Sequence, residues 1–401
     1  MSPNQLAKWA LIAVTAFAVI SDSMLLPFYP IYFEVMFHSS DPLLISRYLA
    51  VSCLIVIVAL PLWARVARRF GTLKILMLSQ VGALLASVGC ANAPTLAVLF
   101  ASGWIMVLFK ASYLLVYPYL LTLEEAKHQP HTVGLLSVIV HLGAITGALV
   151  GGSILQFASP PQAFLWMAVG DGLQILVCGW LLLRVQPQSL VANRQQPCED
   201  TTAAARRATT RPKVQLALIM WLFYFSAYLI RPFFVQYWHR LSPQSGEIEA
   251  AVIFAIPAAI AIAALMLQRH SRQPRWLQTL GQIPVALAIG AVGFALQAQP
   301  QPHWIIVGRV LYGWALFHAT VKLDLKIFAL SHPNEYSKDF ATLHIFQSLG
   351  VLVASYAAGQ LMVAGGDQLL FVCASGGFIL TTLLFWQWFM PREKRLKGAT
   401  L

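Results

Sequence analysis

Apolar stretches of twenty or more residues recur along the whole chain, and they restrict its possible folds more than any other feature. A helix rising about 1.5 Å per residue needs about twenty residues to cross the hydrocarbon core of a bilayer. Twelve such spans can be read, at 9–36, 43–64, 73–92, 95–120, 133–157, 163–184, 214–238, 249–268, 276–297, 303–328, 340–364 and 368–390. Lipid offers no partner to a backbone N–H or C=O, so each span has to satisfy its own and is helical. With 58% hydrophobic and 10% charged residues and a mean hydropathy of +0.69, the chain lies outside the soluble globular range. The expectation is an all-α membrane protein.

A net charge of +12 in a soluble chain would point to nucleic acid. Here the basic residues cluster in alternate short loops, at Arg65/Arg68/Arg69/Lys74, Arg206/Arg207/Arg211/Lys213, Arg269/Arg272/Arg275 and Arg392/Lys394/Arg395/Lys397. The opposite loops carry almost no Lys or Arg, Arg240 being the exception. That is the positive-inside pattern; it excludes a nucleic-acid partner and puts both termini in the cytoplasm. Cys53, Cys90, Cys178, Cys198 and Cys373 are scattered, without disulfide or zinc spacing, and the His128/His131 pair has no further ligands at useful distance. No metal or cofactor is expected. The first apolar stretch is too long for a cleaved signal peptide and lacks a small-residue cleavage site.

The polar segment 186–213, with Pro187, Pro197 and Pro212, reads as a cytoplasmic linker between two six-span domains, 1–185 and 214–401. The halves repeat. Ser21–Phe33 lies over Ser226–Trp238 with a shift of 205, Gly103-Trp104 over Gly313-Trp314, and Gly143 and Gly152 over Gly350 and Gly359.

The fifth span holds the most informative local pattern, GLLSVIVHLGAITGALVGG, with glycines at Gly134, Gly143, Gly147, Gly151 and Gly152. Three of them recur every fourth residue and form a stripe on which another helix backbone can lie closely, expected to be a helix of the other half. In water each would cost a helix about 1 kcal/mol. The spacing resembles the fifth-helix motif of major facilitator superfamily antiporters: glycine, eight residues, glycine, three residues, glycine-proline, two residues, glycine-glycine. Only the proline departs, as Ala148. Pro27 and Pro30 resemble the proline pair of drug-exporting members. In the loop Ala64–Lys74, Arg69 and Gly71 match the family's inner-gate motif, while Ala64 and Arg68 replace its first glycine and its aspartate. An arginine cannot stabilise a helix N-terminus as a carboxylate does, so Glu124 or Glu125 is a candidate substitute. Met106 stands where the family's fourth-span arginine is expected.

The resemblance implies two pseudo-symmetric six-helix bundles around a central cavity lined by spans 1, 4, 7 and 10, in the branch of drug:proton antiporters and small-metabolite exporters. Charges deep in spans are costly and invite functional readings. Asp22 and Lys110 are the candidate proton-coupling pair, against the alternative of a static ion pair joining two helices. Candidate substrate-cavity residues are Tyr29, Lys110, Tyr113, Tyr117, His141, Arg231, Trp314 and His318, with Phe225 as a further apolar wall and Lys322 one turn beyond His318. Arg231 could instead be a gate contact, and His141 and His318 ordinary packing histidines. Glu34, Arg47 and Arg309 are expected at the rim. Asp171, between Gly170 and Gly172 in a peripheral span, is expected to be structural.

Together these readings describe a monomeric, proton-coupled exporter of a small amphipathic or anionic organic compound, such as a carboxylate siderophore or a drug, in a bacterial inner membrane. An importer of organic anions is the alternative within transport. A membrane enzyme or sensor is disfavoured, since the sequence has no H-E-x-x-H, no phosphate-binding glycine loop and no long extramembrane segment. The expected partners are the substrate, protons and the lipid bilayer.

Overall fold

The computed structural model describes residues 3–116, 119–120, 129–184, 203–268, 274–331 and 336–398, and among them all regular structure is helical. The elements are α1 (Pro3–Ser23), α2 (Tyr29–Phe37), α3 (Pro42–Phe70), α4 (Thr72–Ala91) and α5 (Leu96–Lys110), which runs into a 3₁₀ turn at Ala111–Leu115. Then come α6 (Gln129–Phe157), α7 (Gln162–Arg184), α8 (Ala203–Tyr228), α9 (Phe234–Leu241), α10 (Glu247–Gln268), α11 (Arg275–Leu280), α12 (Ile283–Gln297), α13 (Pro302–Leu330) and α14 (Tyr336–Gly398). Eight described ranges are long and apolar enough to cross a membrane. One of them, Thr342–Met390, holds the last two expected spans: α14 bends at Gly365–Gly366, where Gly366 has φ 65° and ψ −160°. A side chain is strained at that φ, so glycine is what lets the chain turn there.

Besides the ninth, which breaks at 281–282 between α11 and α12, two expected spans are not continuous helices. The first is interrupted over 24–28, between α1 and α2, and the seventh over 229–233, between α8 and α9. Both interruptions fall inside the Ser21–Phe33 and Ser226–Trp238 repeat, with Pro27 and Pro232 at matching places. Proline has no N–H to donate and crowds the preceding turn. Tighter bonds carry the chain through: Phe28 N to Leu25 O at 2.9 Å, Arg231 N to Tyr228 O at 3.2 Å and Phe233 N to Ile230 O at 3.1 Å. Pro30 then sits in the first turn of α2, where its missing donor costs nothing.

The chain divides into two compact units. The first comprises Met1–Asp41, Tyr48–Asn193 and Pro243–Ala258; the second comprises Pro42–Arg47, Arg194–Ser242 and Ala259–Leu401. The core of the first includes Leu11 and Val14 of α1, Leu73 and Leu76 of α4, Leu136 of α6, and Cys178 and Leu181 of α7. The second is built on aromatics, with Phe378 against Phe223 and Phe294 at ring separations of 5.5 and 5.2 Å. Large apolar side chains such as Leu85, Leu176 and Trp386 point outward, as lipid-facing residues do. Most of the linker, 185–202, lies outside the described residues.

Candidate functional site

The first unit contains a buried charged cluster centred on Lys110. Helix α5 starts from Thr95, whose hydroxyl accepts from Val98 N, and ends at Lys110, where the backbone tightens into the 3₁₀ turn. Ser112 of that turn shares a hydrogen bond with Ser79 of α4. An ammonium has three N–H donors. Lys110 Nζ faces three acceptors: Ser21 Oγ at 2.8 Å, Asp171 Oδ1 at 3.0 Å and Asp22 Oδ1 at 3.4 Å. Ser87 Oγ donates to the other Asp171 oxygen at 3.1 Å, and Ser21 Oγ to Met167 O at 3.4 Å. Helices α1, α4, α5 and α7 therefore each contribute a polar group to one point.

Exposure differs sharply between the two acids. The Asp171 side chain is fully buried, that of Lys110 is 7% exposed and that of Asp22 is 34% exposed. With both acids ionised the cluster carries one surplus negative charge, which a single proton neutralises. Asp171 has the shorter ion-pair contact, a serine donor and no access to water. Asp22 has the longer contact and an open side.

The glycine stripe of α6 lies directly behind this site. A Cβ at Gly143 would stand 2.9 Å from Val19 Cγ1, one at Gly147 would overlap Ile20 O and Ser23, and one at Gly151 would overlap Met24 O. The partner of the stripe is thus the end of α1 in the same half, whereas the sequence suggested a helix of the other half. The interruption after Ser23 explains the choice: the chain leaves α1 beside Met24 O, and only a bare backbone fits against it. Gly152 faces the other way, towards Glu247 O and Ala251, and next to it Gln156 Oε1 accepts from Ile248 N at the start of α10. The second unit repeats both contacts. Gly350 lies against Trp221 O and Phe225 N of α8, and Gly359 against Pro42 O and Ser46.

Other sequence candidates are dispersed. Tyr29 sits edge-on to Tyr48, with ring centres 5.2 Å apart, in an aromatic group with Phe33. Tyr113 is half-buried in the 3₁₀ turn; because residues three apart eclipse there, it stays on the side of Lys110. Tyr117, Glu124 and Glu125 lie outside the described residues. His141 is half-buried on α6, and the side-chain surroundings of Gly134, near the start of that helix, are likewise outside the description. Arg69 is exposed, with its guanidinium 5.4 Å from the Phe70 ring, and Gly71 (φ 92°) turns the chain into α4.

In the second unit, Arg231 is half-buried over the Tyr228 ring at 5.0 Å, and Phe225 stacks on Trp221. Arg309 departs from its expected rim position. It is 5% exposed, with its guanidinium 4.0 Å from the Phe234 ring centre. An aromatic face attracts the cation and covers it at once. Trp314 and His318 stack 4.3 Å apart and line a small cavity with residues of α10 and α11.

The sequence did not place three members of the Lys110 cluster together: Asp171, expected to be structural in a peripheral span, and the hydroxyls of Ser21 and Ser87. A signal was present in Gly170. A Cβ there would meet Ser21 at 3.4 Å, an ordinary contact, so α7 passes beside the end of α1 next to Asp171.

Residues 11–321 match the sequence model of the Major Facilitator Superfamily. No curated protein matches the chain significantly. Among solved structures, a mutant of the nucleoside transporter NupG is similar with a TM-score of 0.73 at 14% identity, over 96% of this chain and 100% of that one. The human organic anion transporter MFSD10 (TETRAN) is similar at 0.68 and 15%, over 96% and 100%. A POT family transporter in complex with a thioalcohol-conjugated peptide is similar at 0.73 and 15%, over 96% of both chains. At these identities the likeness is one of fold.

Proposed function

The chain belongs to the Major Facilitator Superfamily, and on that premise we propose that it is a proton-coupled antiporter that exports a small amphipathic or anionic organic compound. Membership makes it an integral multi-pass membrane protein and a secondary transporter. The observation that carries the finer reading is the pairing of one ammonium with two unequal carboxylates. Asp171 and Lys110 form a sealed pair that offsets the cost of burying either charge. Asp22 remains as the acid that can exchange a proton with water while the pair behind it stays intact.

A carboxylate beside an ammonium and open to water can both hold and release a proton. A substrate that presents hydrogen-bond donors to Asp22 stabilises the ionised form and expels the proton. When the substrate leaves, the proton returns, so the two ligands alternate as antiport requires. A free-energy change of about 1.4 kcal/mol between the two states of the transporter shifts the protonation equilibrium tenfold. Tyr113 supplies an apolar wall beside the acid. The five-glycine match in α6 supports the outward direction, as does the proline pair Pro27/Pro30. The placement of the basic loops supports a bacterial inner membrane with both termini in the cytoplasm, and labelling of single cysteines at Ser40 and Ala205 from opposite sides of the membrane checks it.

The longer Lys110–Asp22 contact also favours a second reading. An anionic substrate that takes Lys110 from Asp22 would hold the proton on the acid, and proton and substrate would then travel together. One measurement separates the two. Candidate substrates, carboxylate siderophores and lipophilic drugs among them, are added to purified protein in weak buffer while the pH is followed. Antiport is expected to give proton release from the wild type and none from Asp22→Asn. Proton uptake would establish the symport reading. Equal release from both proteins would move coupling away from Asp22.

A further inference from the structure

The second unit contains a cavity that the Asp22 mechanism does not use. It has a volume of about 90 Å³ and lies between the end of α10 (Gln268), the short α11 (Gln278) with Gly281, and one face of α13 (Trp314, His318, Lys322). Pockets for drug-sized molecules run to roughly 300 Å³ and more, so this one has room for a single small polar group.

Its polar groups are all of one kind. Lys322 has no ion pair among the described residues, and no described residue lining the cavity is acidic. The nearest carboxylate along the helix, Asp324, instead accepts from Gln347 of α14 at 3.1 Å. His318 is 4% exposed, and its Nδ1 stands 3.4 Å from Gln268 Nε2. An amide nitrogen only donates, so with this orientation of Gln268 the Nδ1 is the acceptor and Nε2 is left as the ring's other polar atom. That Nε2 is buried without a hydrogen-bond partner. An unmatched buried polar atom is costly, and here it sits one helical turn from an uncompensated ammonium. Gly281 makes the space: a Cβ there would come to 2.9 Å from the His318 ring and 3.4 Å from Lys322 Nζ. Trp314 closes one wall, fixed by its indole N–H donating to Leu280 O at 3.1 Å.

We propose that this cavity binds a phosphate group, with Lys322 as its charge partner, Gln268 and Gln278 as hydrogen-bond donors and the His318 ring as a wall. Phosphate offers several acceptor oxygens to donors that come from three elements, and its negative charge balances Lys322. The group arrives either as a free phosphate or as the headgroup of an anionic phospholipid.

The test uses the full-length chain. In phosphate-free detergent buffer, inorganic phosphate is titrated and the thermal midpoint followed for the wild type, Lys322→Met, Lys322→Arg and Gln278→Ala. In parallel, the proteins are reconstituted in phosphatidylglycerol vesicles and in vesicles of a phosphate-free galactolipid, and retained lipid is measured by native mass spectrometry. A free-phosphate site is expected to raise the wild-type midpoint, with apparent affinity at least tenfold weaker in Lys322→Met and largely kept in Lys322→Arg. A headgroup site is expected to show no phosphate titration but a Lys322-dependent retention of phosphatidylglycerol. Neither effect, or effects equal in the wild type and Lys322→Met, overturns the proposal. Gln278→Ala provides a milder second variant should Lys322→Met fold poorly. Asp22-dependent proton release is expected to persist in Lys322→Met, so this site and the transport reading fail separately.

Discussion

The two units each set a glycine against a serine at a corresponding helix crossing and place opposite chemistry beside it. In the first, Gly170 of α7 lies against Ser21 at the end of α1; in the second, Gly377 of α14 lies against Ser226 near the end of α8. The residue after each glycine sets the local chemistry. Asp171 turns into the cluster with Lys110, Ser87 and Asp22, whereas Phe378 turns into rings contributed by Phe223, Phe294 and Tyr312. The difference recurs on the tenth span. Arg309, which the Gly103/Gly313 register puts opposite the buried Leu99, is held over an aromatic face. The two crossings thus correspond in place, and only at the one in the first unit does a buried acid meet a lysine, among the described residues.

The most severe way to break this contrast is to move the charge. Phe378→Asp puts a carboxylate at a fully buried position among aromatic rings. The penalty for an unpaired buried ion is several kcal/mol, enough to prevent accumulation of folded protein. Wild-type yield and monodispersity in gel filtration would mean that the second unit can compensate an acid after all.

Next in size is Lys110→Met, which strands two carboxylates and is expected to cost about 3–5 kcal/mol. Lys110→Met combined with Asp171→Leu removes both members of the sealed pair and is expected to be more stable than Lys110→Met alone. Thermal midpoints in one detergent check the order. A double variant less stable than the single one would show that the pair does not hold the cluster together.

Glycine substitutions sharpen the comparison with smaller effects. Gly147→Leu drives bulk into Ile20 O and Ser23, and Gly350→Leu into Trp221 O and Phe225 N. Overpacking of this kind costs about 1–3 kcal/mol at either site, and both proteins are expected to insert. Only Gly147→Leu displaces the end of α1 that carries Asp22, so it is expected to abolish substrate-dependent proton release while Gly350→Leu retains it. Equal release from both would detach the stripe from the proton site. The mildest case is Gly376→Ala. A Cβ there meets nothing within 4 Å, and replacing a helical glycine is expected to stabilise by up to about 1 kcal/mol, read as a small rise in midpoint.

Much of this organisation was legible in the chain because lipid makes patterns simple. Backbone groups must be satisfied locally, so span length and apolarity identified the helices, and the Gly365–Gly366 bend falls in the gap expected between the last two spans. The interruptions at 24–28 and 229–233 were less visible, although Pro27 and Pro232 mark them, because a proline within a span is compatible with a bent as well as a broken helix. Asp22 and Lys110 stood out as charges deep in apolar segments, and the structure pairs them.

What the sequence determined by itself is the set of contributions that act within one segment: helical spans, the orientation bias of the basic loops, the repeat of the halves, and stripes where close packing is possible. What only the tertiary structure decided is which segments share a point in space. The stripe Gly143, Gly147 and Gly151 announces a close neighbour but carries nothing that names it as α1. Asp171 is one acid between two glycines until α7 meets α1, α4 and α5, and then it becomes the partner that fixes Lys110 and leaves Asp22 open. His318 and Lys322 are likewise a turn apart on any helix, and only the approach of Gln268 and Gly281 makes a cavity of them. Periodicity records the neighbours that a helix brings to itself, while charge pairing and cavities depend on side chains tens to hundreds of residues apart.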